Sequence, residues 1–255
     1  MASAAVGYLN LADAGTVTAV SSQATTMPAT NVQNVHVQRR WRSLVNSANF
    51  VIDLGASKSV DTVGVFGMTM SASGTIRIRL STSDATGAAG DAYDSGVVAV
   101  VSSYNAHVSL VTAPVTARYF RADLSDAAAT YVEAGRVFIG VRTPLTYNFA
   151  YGWQKGFVDR SIKSKTRGGQ TQVWLDNHYR ILDVTFSTVT RAQRNAVVED
   201  IDRINGQSTD VLFIIDPASS VPARDSIWGL ITDATPVVQS YFGVFSKQYK
   251  IEERL

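Results

Sequence analysis

The chain has 255 residues, of which 45% are hydrophobic and 17% charged, and its formal net charge is +2. A net charge this small gives no long-range field toward nucleic acid or an anionic membrane. The count of 0 cysteines excludes disulfides and thiolate metal sites. No apolar run approaches the roughly 20 residues of a membrane span. We therefore predict neither membrane insertion nor sequence-specific binding of nucleic acid.

Residues 1–143 are predicted to form an N-terminal jelly-roll β-sandwich, because many short β candidates follow one another with almost no helical periodicity. The segment 75–80 alternates apolar and basic residues, as a strand with one solvated face does. The predicted strands are 15–20, 50–54, 62–66, 75–81, 96–101, 107–111, 119–124 and 136–141. In two places, 50–66 and 119–139, a strand is expected to end at a turn beside an acidic residue. The predicted core comprises Trp41, Phe50, Ile52, Leu54, Val65, Phe120, Leu124 and Phe138.

Residues 144–255 are predicted to form a second β domain with one α-helix at 190–205, because aromatic and basic residues become denser from 144 onward. Thr190 and Gln193 fit a capping box at the start of the helix, and Asn205-Gly206 fits a C-terminal cap. Three apolar residues at helical spacing are expected on its buried face: Val197, Ile201 and Ile204. The predicted strands are 171–175, 179–187, 211–215, 226–231 and 241–251.

Motifs for catalysis are missing from the sequence. It contains no glycine-rich dinucleotide or phosphate loop, no nucleophile elbow and no H-E-x-x-H zinc motif. The histidines His36, His107 and His178 each stand alone, without a second histidine or a paired carboxylate at ligand spacing. We therefore predict that the protein is not an enzyme and needs no cofactor or transition metal.

A glycine-rich stretch at 83–91 predicts a loop with several carboxylates in or near it. Asp84, Asp91 and Asp94 carry oxygen ligands of the kind that calcium prefers. Two interpretations are open, a calcium site formed by the three carboxylates or a solvated turn. We favour the solvated turn.

The segment Arg39-Arg40-Trp41-Arg42 is the densest basic and aromatic cluster in the chain. One interpretation is that Trp41 stacks on a sugar or a base while Arg39, Arg40 and Arg42 contact polar groups or phosphate. The other is that Trp41 packs against the sandwich and the arginines form its solvated rim. We favour the second interpretation.

A second basic stretch surrounds Gly168-Gly169, where we predict the turn of a hairpin. A lone two-stranded ribbon is marginal in water, so we expect this hairpin to reach a neighbouring subunit. The alternative is a disordered surface loop. The cations expected to face acidic groups of another subunit are Lys155, Arg160, Lys163, Lys165 and Arg167.

Two resemblances to known families rest on particular segments. Arg40-Trp41-Arg42-Ser43, followed by 50–55 and 60–65, resembles the opening of a discoidin-type, galactose-binding-like jelly roll, and 117–121 resembles a later strand of that family. Its members bind sugars, lipids or proteins through variable loops, so the resemblance implies a binding module. The second half resembles the tail-tube-like domains of long-tailed bacteriophages. The segments that carry this second resemblance are 180–186, the helix opening at Thr190, 211–217, 226–231 and 245–253.

The combination resembles distal tail proteins, although the usual order of the two domains is reversed here. It implies a structural component of a phage tail tip, assembled in the host cytoplasm and carried in the virion. The resemblance also implies a ring of identical subunits, expected to be a hexamer, that binds other tail proteins and contacts carbohydrate on the host surface. The absence of a basic start and an apolar block in residues 1–7 agrees with synthesis in the cytoplasm. The alternative is a carbohydrate-binding module accessory to a hydrolase.

Overall fold

A computed structural model describes residues 3–255; Met1 and Ala2, at the start of the stretch read for a signal peptide, lie outside the described residues. The chain forms two compact units, one of residues 3–145 with 211–226 and 255, the other of residues 146–210 with 227–254. The sequence assigned 211–226 to a second domain that began at 144. That assignment is wrong, because a strand of this segment pairs with the N-terminal strand of the first unit.

The described residues are mainly β, as predicted. Short 3₁₀ helices occur at Leu11–Ala14, Ala29–Gln33 and Ser102–Tyr104. The strands in chain order are β1 (Ala5–Gly7), β2 (Thr16–Val20), β3 (Trp41–Arg42), β4 (Ser47–Phe66), β5 (Gly74–Ser81), β6 (Tyr93–Asp94), β7 (Val98–Ala99), β8 (Ala106–Asp126), β9 (Glu133–Ala134), β10 (Arg136–Gly140), β11 (Thr143–Pro144), β12 (Gln154–Asp159), β13 (Ile162–Lys165), β14 (Thr171–Trp174), β15 (His178–Thr190), β16 (Val211–Ile214), β17 (Ser226–Ala234), β18 (Val238–Tyr241) and β19 (Val244–Glu253).

The first unit is built on an antiparallel sheet in the order β10-β4-β8-β5-β6, with β2 paired to β4 and β7 paired to β5. Strand β3 pairs with β9, and β1 lies between β11 and β16. All eight residues predicted as core are buried, which confirms the sandwich. Phe138 differs from the others because its ring lies against Gly7 and Gly140, outside the main apolar cluster.

Strands β4 and β8 are much longer than predicted, at 20 and 21 residues, and they pair along their length. The sequence predicted two strands within each, 50–54 and 62–66 in β4 and 107–111 and 119–124 in β8, with a turn between the first two. The register of the β4–β8 pair shifts instead between Asp53 and Lys58, where β4 has the extra residues, and between Val60 and Thr62, where β8 has them, so they are absorbed without a chain reversal. Gly55 lies in the first shift with φ 77°, a conformation that glycine adopts without strain.

The second unit contains an antiparallel sheet in the order β17-β19-β15-β12, with β18 also paired to β19. Strands β12 and β15 lead into a second antiparallel pair, the ribbon β13–β14. Its turn is closed by a 2.8 Å hydrogen bond from the Thr166 N–H to the Gln170 carbonyl, and Gly169 has φ 84°. The hairpin predicted around Gly168-Gly169 is therefore confirmed.

The predicted helix of the second unit is present. It starts as α1 (Arg191–Gln193), capped by the Thr190 hydroxyl, and Gly206 ends it with φ 50°. Its hydrogen bonds differ from the prediction, because Arg194–Val198 and Ile201–Asn205 are π-helical. A π turn contains more residues than an α turn, so Asn205 is buried while Ile204 is exposed, and the placement of Ile204 on the buried face is wrong. No helix among residues 3–255 has the length and apolarity to cross a bilayer.

Candidate functional site

Trp41 is fully buried in the sandwich. Its indole N–H donates to the Ser22 carbonyl at 3.0 Å, and its ring packs edge-on against Phe50 at a centroid distance of 5.0 Å. Both faces are thus inside the protein, and the ring has no surface for a sugar or a base. The stacking hypothesis is wrong, and the packing interpretation is confirmed.

The arginines beside Trp41 form the rim that the second interpretation expected. Arg42 donates to the buried carboxylate of Glu133 at 2.5 Å, and its guanidinium lies 4.3 Å from the Tyr131 ring centroid. Arg40 approaches the same carboxylate at 3.4 Å, and Arg39 is exposed. Because Glu133 already engages two of the arginines, this cluster stabilises the contact between β3 and β9.

The structure does not bring the three candidate calcium ligands together. Asp84 accepts a hydrogen bond from the Ala89 N–H at 2.7 Å, and bonds of this kind lower the pKa of its carboxyl. Asp91 accepts a hydrogen bond from the Thr82 N–H at 3.1 Å, and Asp94 forms an ion pair with Arg77. Within residues 3–255, no group of three or more histidine, aspartate or glutamate side chains is placed to hold a metal ion. The calcium hypothesis is wrong, and the carboxylates order their own loops.

A groove of about 210 Å³ lies on the surface of the first unit, over β5 and β8. Its lining is mixed: six of the nine residues carry hydroxyl or charged groups, and three are apolar, of which Val97 is exposed. The lining residues are Ser47, Thr75, Ile76, Arg77, Arg79, Val97, Asp123, Leu124 and Ser125. We call this feature the β5–β8 groove.

The charged groups at the β5–β8 groove are fixed by paired hydrogen bonds. The Arg77 guanidinium donates from Nε to Asp94 at 2.9 Å and lowers the pKa of that carboxyl to about 2. Asp123 accepts from Arg79 at 2.6 Å and from Arg121 at 2.8 Å, one arginine on each oxygen. The Arg77–Asp94 pair is bidentate, because two guanidinium nitrogens donate to different carboxylate oxygens, and such pairing fixes orientation. The groove therefore presents planar donors and acceptors in set directions.

Two of the three histidines have polar partners that the sequence did not predict. His178 lies 3.5 Å from Asp159 across the β12–β15 pair, a partner that only the strand register brings close. His107 Nε2 is 2.8 Å from the Ser109 hydroxyl on the same strand, and burial lowers the pKa of His107 to about 4.

His107 is expected to make the fold sensitive to mild acid. Its folded pKa of about 4 lies below the usual 6.5, so the unfolded chain binds more protons between these values and stability falls as pH falls through this window. The loss is on the order of 3 kcal/mol. The free energy of unfolding should therefore drop less between pH 7 and pH 4 in His107→Gln than in the parent, as measured by urea denaturation. Equal pH slopes for the two proteins would contradict this assignment.

The ribbon β13–β14 carries most of the cations predicted to contact a neighbouring subunit. Every residue of both strands is exposed. Lys163 and Lys165 lie on β13, and Arg167 lies in the turn. Arg160 is 3.8 Å from a carboxylate of the returning segment, and Lys155 is half-buried on β12. The role of these cations in subunit contact stays a prediction.

Exposed aromatic side chains are concentrated in the second unit. In the first unit, the large apolar side chains that are exposed within the described residues are leucines and valines. The exposed aromatic residues of the second unit are Tyr147, Tyr151, Trp153, Phe157, Trp174, Tyr241 and Phe242. Surfaces rich in aromatic residues are typical of interface cores.

Searches of protein-family models and of curated proteins find no match to the sequence. Among solved structures, the chain is similar to the lectin domain of lectinolysin complexed with Lewis B antigen, with 16% identity, a TM-score of 0.41 and coverage of 52% of this chain and 96% of that one. A fucose-binding module of Streptococcus pneumoniae matches with 11% identity, a TM-score of 0.41 and coverage of 52% and 98%. A Ruminococcus gnavus GH29 fucosidase in complex with fucose matches with 16% identity, a TM-score of 0.44 and coverage of 53% and 27%. At these identities and TM-scores the similarity assigns no ligand or activity to this chain.

Proposed function

We propose that the chain is a non-catalytic binding protein whose sandwich takes a glycan in the β5–β8 groove. The observation that carries this proposal is the set of fixed guanidinium and carboxylate groups lining a concave polar surface. A sugar presents many hydroxyl groups, each able to donate and accept. Planar groups that are already oriented lose little freedom when they bind such a ligand.

The proposal is tested by a glycan array that includes fucose and Lewis b oligosaccharides, followed by calorimetry on any ligand found. Arg77→Ala should weaken binding by about tenfold or more, because it removes a charged donor from the groove. Arg118→Ala is the matched control: Arg118 also pairs with an aspartate, Asp53 at 2.9 Å, and does not line the groove. An array without binding, or two variants that bind alike, would overturn the proposal.

A second candidate function is that of an assembly subunit, and the exposed aromatic residues of the second unit favour it. This candidate keeps the prediction of a structural protein in the tail tip of a long-tailed bacteriophage, present in the virion as a homo-oligomeric ring beside other tail proteins. Exposed aromatic surface loses contact with water when identical copies associate. Sedimentation and negative-stain images of the purified chain test it. Rings or oligomers support the assembly role, and a monomer at every concentration rejects it.

A further inference from the structure

The ribbon β13–β14 has two chemically different faces. Opposite residues of a β pair share a face, and successive residues alternate between faces. Ile162 pairs with Trp174, and these side chains, 66% and 55% exposed, form what we call the apolar face. Lys163 pairs with Val173, and these residues lie with Lys165 on the lysine face.

Two more apolar side chains are exposed beside the ribbon. Phe157 lies on β12, before the ribbon, and Leu175 follows β14. A two-stranded ribbon with both faces in water is marginally stable. A contact that covers Ile162 and Trp174 would stabilise it, whereas lysines remain well solvated in water.

Strand β18 lies at the opposite edge of the same sheet. Among the described residues, β18 pairs with β19 alone and β12 with β15 alone, so each has a strand neighbour on one side only. Tyr241 at the end of β18 and Phe242 in the turn after it are 78% and 94% exposed, and Val238 is exposed as well. An edge strand of this kind can accept a further strand through its backbone.

Charge favours a contact between the ribbon and the β18 edge over a contact between two ribbons. The ribbon segment 160–177 contains four cations and one aspartate, whereas Asp233 is the only charged residue in 232–243. Two ribbons would therefore repel each other, but a ribbon and a β18 edge would not. A buried aromatic side chain contributes about 150–250 Å² to an interface. The four exposed aromatic residues named above, Phe157, Trp174, Tyr241 and Phe242, would therefore bury on the order of 800 Å². A specific interface buries about 1,200–2,000 Å² in total, and backbone pairing and neighbouring side chains supply the remainder.

We infer that the apolar face of the ribbon of one copy docks on the β18 edge of a second copy. This inference deepens the assembly candidate and rests on it. The two surfaces are different, so the contact is head to tail and repeats from copy to copy until a ring closes or a filament grows. The lysine face then points away from the joint, which differs from the sequence-based expectation that Lys163 and Lys165 face the neighbour.

Sedimentation velocity of the full-length chain over a range of concentrations tests the inference. The ribbon variant is Ile162→Ser with Trp174→Ser, and the edge variant is Tyr241→Ser with Phe242→Ser. The control variant, Lys163→Gln with Lys165→Gln, changes the other face of the same strand. We expect the first two to raise the dissociation constant of self-association at least about tenfold and the control to leave it unchanged. Circular dichroism checks that each variant is folded.

A mixing experiment separates a head-to-tail contact from other arrangements. Each of the two interface variants keeps one intact surface, so an equimolar mixture of them should form a heterodimer and nothing larger. An edge variant that dimerises alone would show a ribbon-to-ribbon contact and overturn the inference. If the parent and both interface variants associate equally, the inference fails while the assembly role stands. A parent that stays monomeric overturns both.

Discussion

Replacing Phe120 by alanine is expected to lower the free energy of unfolding by about 3–5 kcal/mol. Phe120 is fully buried in the middle of β8, with Ile52 of β4 and Leu80 of β5 as its cross-strand partners. Its ring lies 6.0 Å from that of Phe50, so truncation removes contacts on several sides and leaves a cavity. Urea denaturation measures the change.

Phe157→Ala is the matched control for this substitution. Phe157 is also a phenylalanine on a strand, but its side chain is 65% exposed, and its loss should change stability by no more than about 0.5 kcal/mol. If Phe120→Ala unfolds at the same urea concentration as the parent, Phe120 is not a core residue and the pairing of β4 with β8 is incorrect.

Gly135→Ala is expected to be at least as damaging, with a loss of more than about 4 kcal/mol or failure to fold. A Cβ atom at this position would lie 2.0 Å from the carbonyl oxygen of Val37, well inside van der Waals contact. The obstacle is backbone and cannot rotate away. The chain is also held at this point by the hydrogen bond from the Gly135 N–H to the Phe66 carbonyl at 2.9 Å.

Gly168→Ala provides the comparison, because a Cβ atom there meets nothing within 4 Å. This variant should match the parent within about 0.5 kcal/mol in thermal or urea unfolding. A Gly135→Ala protein as stable as Gly168→Ala would mean that the Val37 carbonyl does not approach Gly135 as closely as the structure shows.

The sequence predicted the composition of the sandwich core well but not the length of its strands. Burial of Phe50, Ile52 and Phe120 follows from apolar residues placed two apart on strands, a pattern that needs no knowledge of partners. The segment after Asp53 also shows a turn pattern, since a glycine follows an acidic residue. Whether such a glycine reverses the chain or accommodates a register shift depends on the strand it pairs with, and the local pattern holds no information on that strand.

The sequence predicts only part of the β5–β8 groove. The alternation in 75–80 predicts that Arg77 and Arg79 face solvent, which is correct. Their partners Asp94 and Asp123 lie 17 and 44 residues further along the chain. Predicting ion pairs across strands therefore requires knowledge of the strand register. The glycine turn of the ribbon is encoded by adjacent residues, so the sequence alone predicts it.

The return of residues 211–226 to the first unit bears on how the protein is made. Strand β1 is made before both of its neighbours: β11 follows at Thr143–Pro144, and β16 is made only after residues 146–210. At about 5–20 residues per second, the roughly 200 residues between β1 and β16 take on the order of 10–40 s to make, and that flank of β1 stays open for this time. An open strand flank can recruit the wrong partner. Strand β1 is thus made long before the neighbour that encloses it, and crowding of several ribosomes on one message is the circumstance in which that delay matters most.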